Sequence, residues 1–258
     1  MLNYRIYGEL SNSQTPLVVM HGLLGEMDNW RTFARKQQNQ RPIIAIDMRN
    51  HGESPHEAGM SYQLMMDDVL EVLDALELNR VDLMGHSMGG KVAMWLALHQ
   101  PERVNKLIIV DIAPVNYPPR HQAILQAMLT MPLASFKNRR EADNWLAPTI
   151  KQPFERAFLL KNLSWDEKRV FQWQCNLPEI ARHYLKLTAF PQTALTYGKP
   201  ALFIRGGKSD YVTEENWQVA QKIFPQGRLV EIKEAGHLPH VERADEFIKV
   251  VVEELAKL

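Results

Sequence analysis

The stretch Val81-Asp82-Leu83-Met84-Gly85-His86-Ser87-Met88-Gly89-Gly90-Lys91 decides how this chain is read. Val81 to Met84 is a short, mostly apolar run. Met88 opens a helix-like stretch that continues to about His99 and is ended by Pro101. Between them stands a G-x-S-x-G pentapeptide, in the context of strand, sharp turn and helix that this motif requires. The turn forces its central residue to positive φ, so the Ser87 hydroxyl projects from the top of a sheet. The flanking glycines let the helix pack against the strand where a Cβ would clash. The motif therefore names Ser87 as a nucleophile and limits where its partners can lie.

Outward from this point, strand-like and helix-like segments alternate. Leu17–Met20 reads as a buried strand, followed by the loop His21–Gly25. Asp28 to about Gln38 reads as helix, and Ile43–Ile46 as the next buried strand, ending at Asp47. Ser61 is an N-cap for a helix to Leu76, with Met65, Val69, Val72, Leu73 and Leu76 on its apolar face. Leu107–Val110, Ala201–Ile204 and Leu229–Ile232 read as further strands, and about Glu242 to Leu255 as a closing helix. Continuous apolar strands interleaved with helices predict an α/β fold, its parallel sheet covered on both faces. Ligands in such sheets bind beyond the carboxyl ends of the strands.

The alternation breaks between Asp111 and Lys199. Helix-like stretches near 120–131, 138–147, 152–163 and 176–188 occur there without a buried strand. The expected division is a core of 1–111 and 200–258 with a helical cap, 112–199, over the strand ends. Aromatic residues recur in the insertion, and Trp145, Phe154 and Phe158 are candidates for an apolar substrate pocket. Most of the aromatic residues are expected to pack the cap onto the core.

A serine hydroxyl needs an adjacent base. In this strand-turn-helix architecture the order along the chain is Ser, acid, His. Among nine histidines, His237 follows the last strand in Glu234-Ala235-Gly236-His237 and stands just before the final helix. It is the candidate base. His240, three residues on, reads as a packing or supporting residue. Two aspartates fit the place of the acid, each just past a strand end: Asp111 in Val110-Asp111-Ile112-Ala113-Pro114 and Asp210 in Gly206-Gly207-Lys208-Ser209-Asp210. The second is the commoner home of the acid, and either could orient the His237 ring. An oxyanion hole needs two backbone N–H groups, expected from Met88 and from Leu23 in His21-Gly22-Leu23-Leu24-Gly25. His21 and Gly22 read as shaping that loop, and His51, in Asp47–Ser54, as structural.

Composition bounds the remainder. The 258 residues suffice for one large α/β domain, or for one domain with a sizeable insertion. Lys+Arg and Asp+Glu number 30 each, so nothing favours nucleic acid or an anionic membrane surface. Cys175 is the single cysteine, which excludes an intrachain disulfide and fits a reducing compartment. The start of the chain has no apolar signal core, and no run approaches a membrane span. A cytoplasmic protein is expected. No metal-ligand spacing, phosphate loop or cofactor motif is present, and the chemistry calls for no cofactor.

Taken together, His21-Gly22-Leu23-Leu24-Gly25, Asp47-Met48-Arg49-Asn50-His51-Gly52, Gly85–Lys91, Asp111-Ile112-Ala113-Pro114 and Gly236-His237 resemble the α/β-hydrolase superfamily. More closely they resemble bacterial esterases of the YbfF type. The resemblance spans nearly the whole chain and is weakest in the cap. It implies a carboxylesterase of short to medium acyl esters, with acyl-CoA thioesters as a further substrate class. It also implies a cap inserted after the sixth strand, and it favours Asp111 over Asp210 as the acid. The same serine and histidine would serve a C–C bond hydrolase, a cofactor-free haloperoxidase or a lyase. A non-catalytic ligand-binding protein would predict a damaged triad. Serine at position 87 disfavours reactions that use an aspartate nucleophile.

Overall fold

The computed structural model describes residues 1–10 and 14–257. In chain order the first strands are β1 (Tyr4–Tyr7), β2 (Leu17–Met20), β3 (Ile43–Ile46), β4 (Val81–His86) and β5 (Val104–Val110). They are followed by β6 (Leu163–Trp165), β7 (Phe171–Trp173), β8 (Ala201–Gly206) and β9 (Gly227–Ile232). Seven of these form one sheet in the order β1-β3-β2-β4-β5-β8-β9. β1 is antiparallel to β3, and the other pairings are parallel. β1 alone precedes the parallel series. The strand before Asp111 is therefore fifth in chain order, one fewer than the expected count.

Helices α1 (Arg31–Gln37), α2 (Tyr62–Ala75) and α3 (Met88–His99) alternate with the first strands. α4 (Gln122–Leu129), α5 (Arg139–Leu146), α6 (Pro153–Leu159) and α7 (Leu177–Thr188) lie in the insertion. α8 (Glu214–Ile223), α9 (Pro239–Glu242) and α10 (Ala244–Leu255) complete the chain. Ser61 caps α2 as its residue type predicts, its hydroxyl accepting the Leu64 N–H at 3.2 Å. The expected helix at 28–38 begins one residue earlier as a 3-10 turn, Met27–Trp30, before α1.

Side chains of a strand alternate between faces, so each strand feeds two cores. Val18, Ile44, Leu83, Leu107 and Ile109 pack with α2 and α3. Leu17, Val19, Ile43, Met84, Ile108 and Val110 pack with Phe33 of α1 and with Phe247 and Val251 of α10. Each fully buried aliphatic side chain contributes about 1.5–3 kcal/mol. This two-sided burial explains why the strands read as unbroken apolar runs.

The insertion differs from its expectation in one respect. β6 and β7 form a small antiparallel hairpin where helix and loop were expected. Only Leu163 and Phe171 are buried in it, and three residues per strand are too few to reveal a period. α6 correspondingly ends at Leu159.

Candidate active site

β4 ends at His86 and α3 begins at Met88, leaving Ser87 as the only residue of the turn. Its φ of 52° and ψ of −115° are strained for an L-residue, at a cost of about 1–3 kcal/mol. Close packing enforces the bend. A Cβ at Gly85 would lie 2.1 Å from the Gly89 carbonyl oxygen, and one at Gly89 would lie 2.6 Å from the carbonyl oxygens of Met20 and His21.

The parallel sheet brings β4, β5 and β8 side by side, and the residues past their ends meet. The Ser87 hydroxyl donates to His237 Nε2 at 3.1 Å. His237 Nδ1–H donates to Asp111 Oδ2 at 2.7 Å. Asp111 is fully buried, and its φ of 49° turns the carboxylate toward the β8 side. Its Oδ1 accepts the Gly206 N–H at 2.8 Å, and its Oδ2 also accepts the Ser209 hydroxyl. His86 Nε2–H donates to the His237 carbonyl at 2.6 Å, tying the histidine loop to the elbow.

The two candidate acids are thus separated. Asp210 is exposed and pairs with Arg120, whose guanidinium holds the carboxyl below its ordinary range. No hydrogen bond joins Asp210 to His237 among the described residues.

Leu23 and Met88 line the same cavity as Ser87. Neither backbone N–H donates to a protein acceptor among the described residues. Met88 is the first residue of α3, where a helix has no internal acceptor to offer. The Leu23 loop lies hard against the elbow: a Cβ at Gly22 would lie 3.2 Å from the Ser87 Cβ. His51 Nε2 accepts the Leu24 N–H at 3.1 Å, while its Nδ1–H donates to the Arg49 carbonyl at 2.9 Å. His21 accepts the Met48 N–H at 3.0 Å and donates to the Gly22 carbonyl at 2.7 Å. These two histidines stitch the loop after β3 to the loop after β2. Burial lowers the pKa of His21 and pushes that of His51 down to about 3, so both stay neutral. His240 is likewise buried and pushed to about 3, and it stacks on Trp30 at 4.3 Å.

The cleft beside Ser87 spans about 420 Å³ of empty space, part of it open to solvent. The core contributes Leu23, Met88 and Tyr211, and the insertion contributes Ile112, Tyr117, His121 and Tyr184. Trp145, Phe154 and Phe158, the three aromatic residues expected there, do not line it. On α5 the buried positions are Ala142 and Leu146, which turns Trp145 outward. The Trp145 indole N–H donates to the Ala127 carbonyl at 3.1 Å. Phe154 and Phe158 border a separate cleft with Asn29, Thr32 and His240.

Several residues at the site carry no sequence signal of their own. Tyr211 stacks on His237, and Ser209 supports Asp111. His86 fills a variable position of the pentapeptide. Lys91 is 2% exposed, and its Nζ donates to three backbone carbonyls. Burial pulls that ammonium down to about 7.

A strained serine at a strand-to-helix turn, hydrogen-bonded to a late histidine on a mostly parallel sheet, defines a hydrolase of the α/β type. The family model described as alpha/beta hydrolase fold matches residues 15–244, and the chain belongs to that family. An sn-1-specific diacylglycerol lipase ABHD11 from Xenopus laevis is 36% identical over 258 residues, covering 97% of this chain and 82% of its own. Esterase YbfF from Escherichia coli K12 is 34% identical over 241 residues, covering 93% of this chain and 92% of its own. The solved structure of a marine microorganism esterase superposes with a TM-score of 0.94 at 36% identity, covering 98% of both chains. The chain is accordingly an esterase/lipase-type α/β hydrolase, an enzyme of the carboxylesterase type. Among the described residues no helix is long and apolar enough to cross a membrane.

Proposed function

We propose that the protein hydrolyses short to medium acyl esters through a triad of Ser87, His237 and Asp111, with acyl-CoA thioesters within its range. Ser87 attacks the acyl carbonyl while His237 Nε2 takes its proton. The amides of Leu23 and Met88 hold the oxyanion, each donor typically worth about 10²–10³ in rate. His237 then protonates the leaving alcohol or thiol, and the acyl group remains on Ser87 Oγ. Water, deprotonated by His237, releases the acid and restores the serine. Asp111 holds the imidazole in the tautomer with the proton on Nδ1. Residues 112–199 act as a cap whose Tyr117, His121 and Tyr184 form the wall of the acyl pocket.

The observation that carries this reading is the unbroken relay from Ser87 Oγ to His237 at 3.1 Å and from His237 to Asp111 at 2.7 Å. The test is turnover of p-nitrophenyl acetate and butyrate by the wild type and by Ser87→Ala. Wild-type turnover lost in Ser87→Ala is expected. A folded wild type inert toward all short acyl esters overturns the proposal.

A further inference from the structure

Lys91 stands one turn beyond Ser87 on α3, its backbone N–H donating to the Ser87 carbonyl at 3.1 Å. No carboxylate opposes its ammonium among the described residues. Nζ instead donates to the carbonyls of Val115 at 2.9 Å, Thr188 at 2.8 Å and Ala189 at 2.9 Å. An ammonium carries three protons, and all three are engaged. None remains for a substrate anion.

The three acceptors come from two places in the chain. Val115 lies where the insertion leaves the core, and Thr188 and Ala189 lie where it returns. The two roots also bind each other. The Tyr117 N–H donates to the Thr188 carbonyl at 3.0 Å, and the Phe190 N–H to Asn116 Oδ1 at 2.9 Å. Nζ lies 4.9 Å from the Tyr117 ring centroid and 5.9 Å from that of Tyr62. Tyr117, Leu187 and Thr188, all at the roots, line the cavity beside Ser87. One side chain therefore joins both ends of the insertion to the helix that carries the nucleophile.

Burying a cation without a counter-charge is costly, and a methionine of similar length would fill the same space without that cost. Hydrogen bonds from charged donors are correspondingly strong when they are satisfied. We infer that Lys91 is a positioning residue: it fixes both roots of the cap on the nucleophile helix and thereby sets the wall of the acyl pocket. Its kinetic consequence rests on the ester-hydrolase reading, whereas the clamp itself does not.

The test measures hydrogen–deuterium exchange and ester kinetics on the wild type, Lys91→Met and Lys91→Arg. Methionine keeps the length of the stem and removes the donors; arginine returns donors and charge. In Lys91→Met, exchange in peptides covering 113–118 and 187–191 is expected to rise about 10-fold, with the central sheet unchanged. KM for p-nitrophenyl butyrate is expected to rise about 10-fold with kcat within about 3-fold, because the triad stands on the core. Lys91→Arg is expected to recover most of both effects. Wild-type exchange at both roots overturns the clamp, and so does a rise spread evenly over the sheet, which marks a packing role alone. If Lys91→Met does not fold, Lys91→Gln reads the same peptides: its amide keeps two donors, so intermediate exchange is expected and wild-type exchange overturns the proposal. Absence of ester turnover in every form sinks the ester reading, while the exchange data still decide the clamp.

Discussion

Tyr211 lies flat on the face of His237, with ring centroids 3.9 Å apart and planes 16° from parallel. Its other neighbours hold it there. The Arg120 guanidinium lies 5.0 Å from the Tyr211 ring centroid, and the Tyr117 hydroxyl donates to the Tyr211 carbonyl at 2.6 Å. The histidine is thus restrained through Nδ1 by a carboxylate and across its face by an aromatic ring. Aromatic pairs contribute about 0.5–1.5 kcal/mol beyond burial, which corresponds to a factor of about 2–10. Tyr211→Leu is expected to lower kcat by that factor, and Tyr211→Phe to leave it near wild type. Steady-state kinetics decide it, and equal losses in both variants would contradict a role for the stack.

The second prediction separates the two aspartates. Asp111→Asn is expected to cost about 10³–10⁴ in kcat, because the amide cannot hold the imidazole in its working tautomer. Asparagine tolerates the left-handed backbone at this position, so the loss reads chemistry rather than folding. Asp210→Asn, which breaks only an exposed ion pair with Arg120, is expected to stay within a few-fold. The reverse order of losses would move the acid to Asp210.

Ser209 gives a graded version of the same test. Its hydroxyl and His237 Nδ1–H share one oxygen of Asp111. A bond to a charged group contributes about 1.5–3 kcal/mol at full strength. Ser209→Ala is expected to lower kcat/KM by about 10-fold while the melting temperature moves by only a few degrees. No change in kcat/KM would mean that Gly206 and His237 alone suffice to hold the carboxylate.

Acid stability follows from the buried histidines. His51 and His240 are pushed by burial to about 3, and His121 to about 4. Burial also lowers His21 and His86. An unfolded histidine titrates near 6.5, so between about 6.5 and the folded value the unfolded chain binds more protons. Stability is therefore complete above about pH 6.5 and is lost as pH falls below it, by about 1.4 kcal/mol per unit for each such site. Urea denaturation at pH 7.5, 6.0 and 5.0 checks this. His240→Phe keeps the stack on Trp30 and is expected to flatten the slope by one site. A slope unchanged from wild type would show that His240 is charged in the folded protein.

Gly89 and Gly198 form a contrasting pair. A methyl group at Gly89 would collide with backbone of the β2 end, whereas one at Gly198 meets nothing within 4 Å. Gly89→Ala is expected to unfold the protein or lower its melting temperature by well over 10 °C. Gly198→Ala is expected to be neutral. Thermal denaturation of the two variants compares them directly.

The sequence made the sheet legible because its strands are buried on both sides. Leu17–Met20 and Ile43–Ile46 have no polar position to confuse the reading. Ser87 and His237 were legible because each stands at a strand end in a motif with a geometric requirement. The choice between Asp111 and Asp210 was open to spacing alone, since both follow strands that are neighbours in the sheet. What separates them is the direction of a backbone at φ 49° and the presence of Arg120, and neither has a local signature. The pocket wall was misread for a similar reason. Trp145 and Phe154 are large and apolar, but helical phase turns Trp145 outward and leaves Phe154 bordering a different cleft. Tyr117 and Tyr184 reach the cavity through the way the insertion folds back, which periodicity does not encode.

The roots of the cap lie side by side, joined by the hydrogen bond between Tyr117 and Thr188. To the sheet, the excursion between them is a loop already closed at its base. Closure entropy grows by only about 0.6 kcal/mol for each doubling of loop length. The segment between the roots also reaches the core elsewhere: Asn162 Nδ2 donates to the Leu24 carbonyl at 2.8 Å, and the Asn176 N–H donates to the Asn50 carbonyl at 2.9 Å. A change of length is therefore cheap at the roots but felt where the insertion touches the loops after β2 and β3, which makes those two contacts, rather than the sheet, the limit on how far the segment can vary.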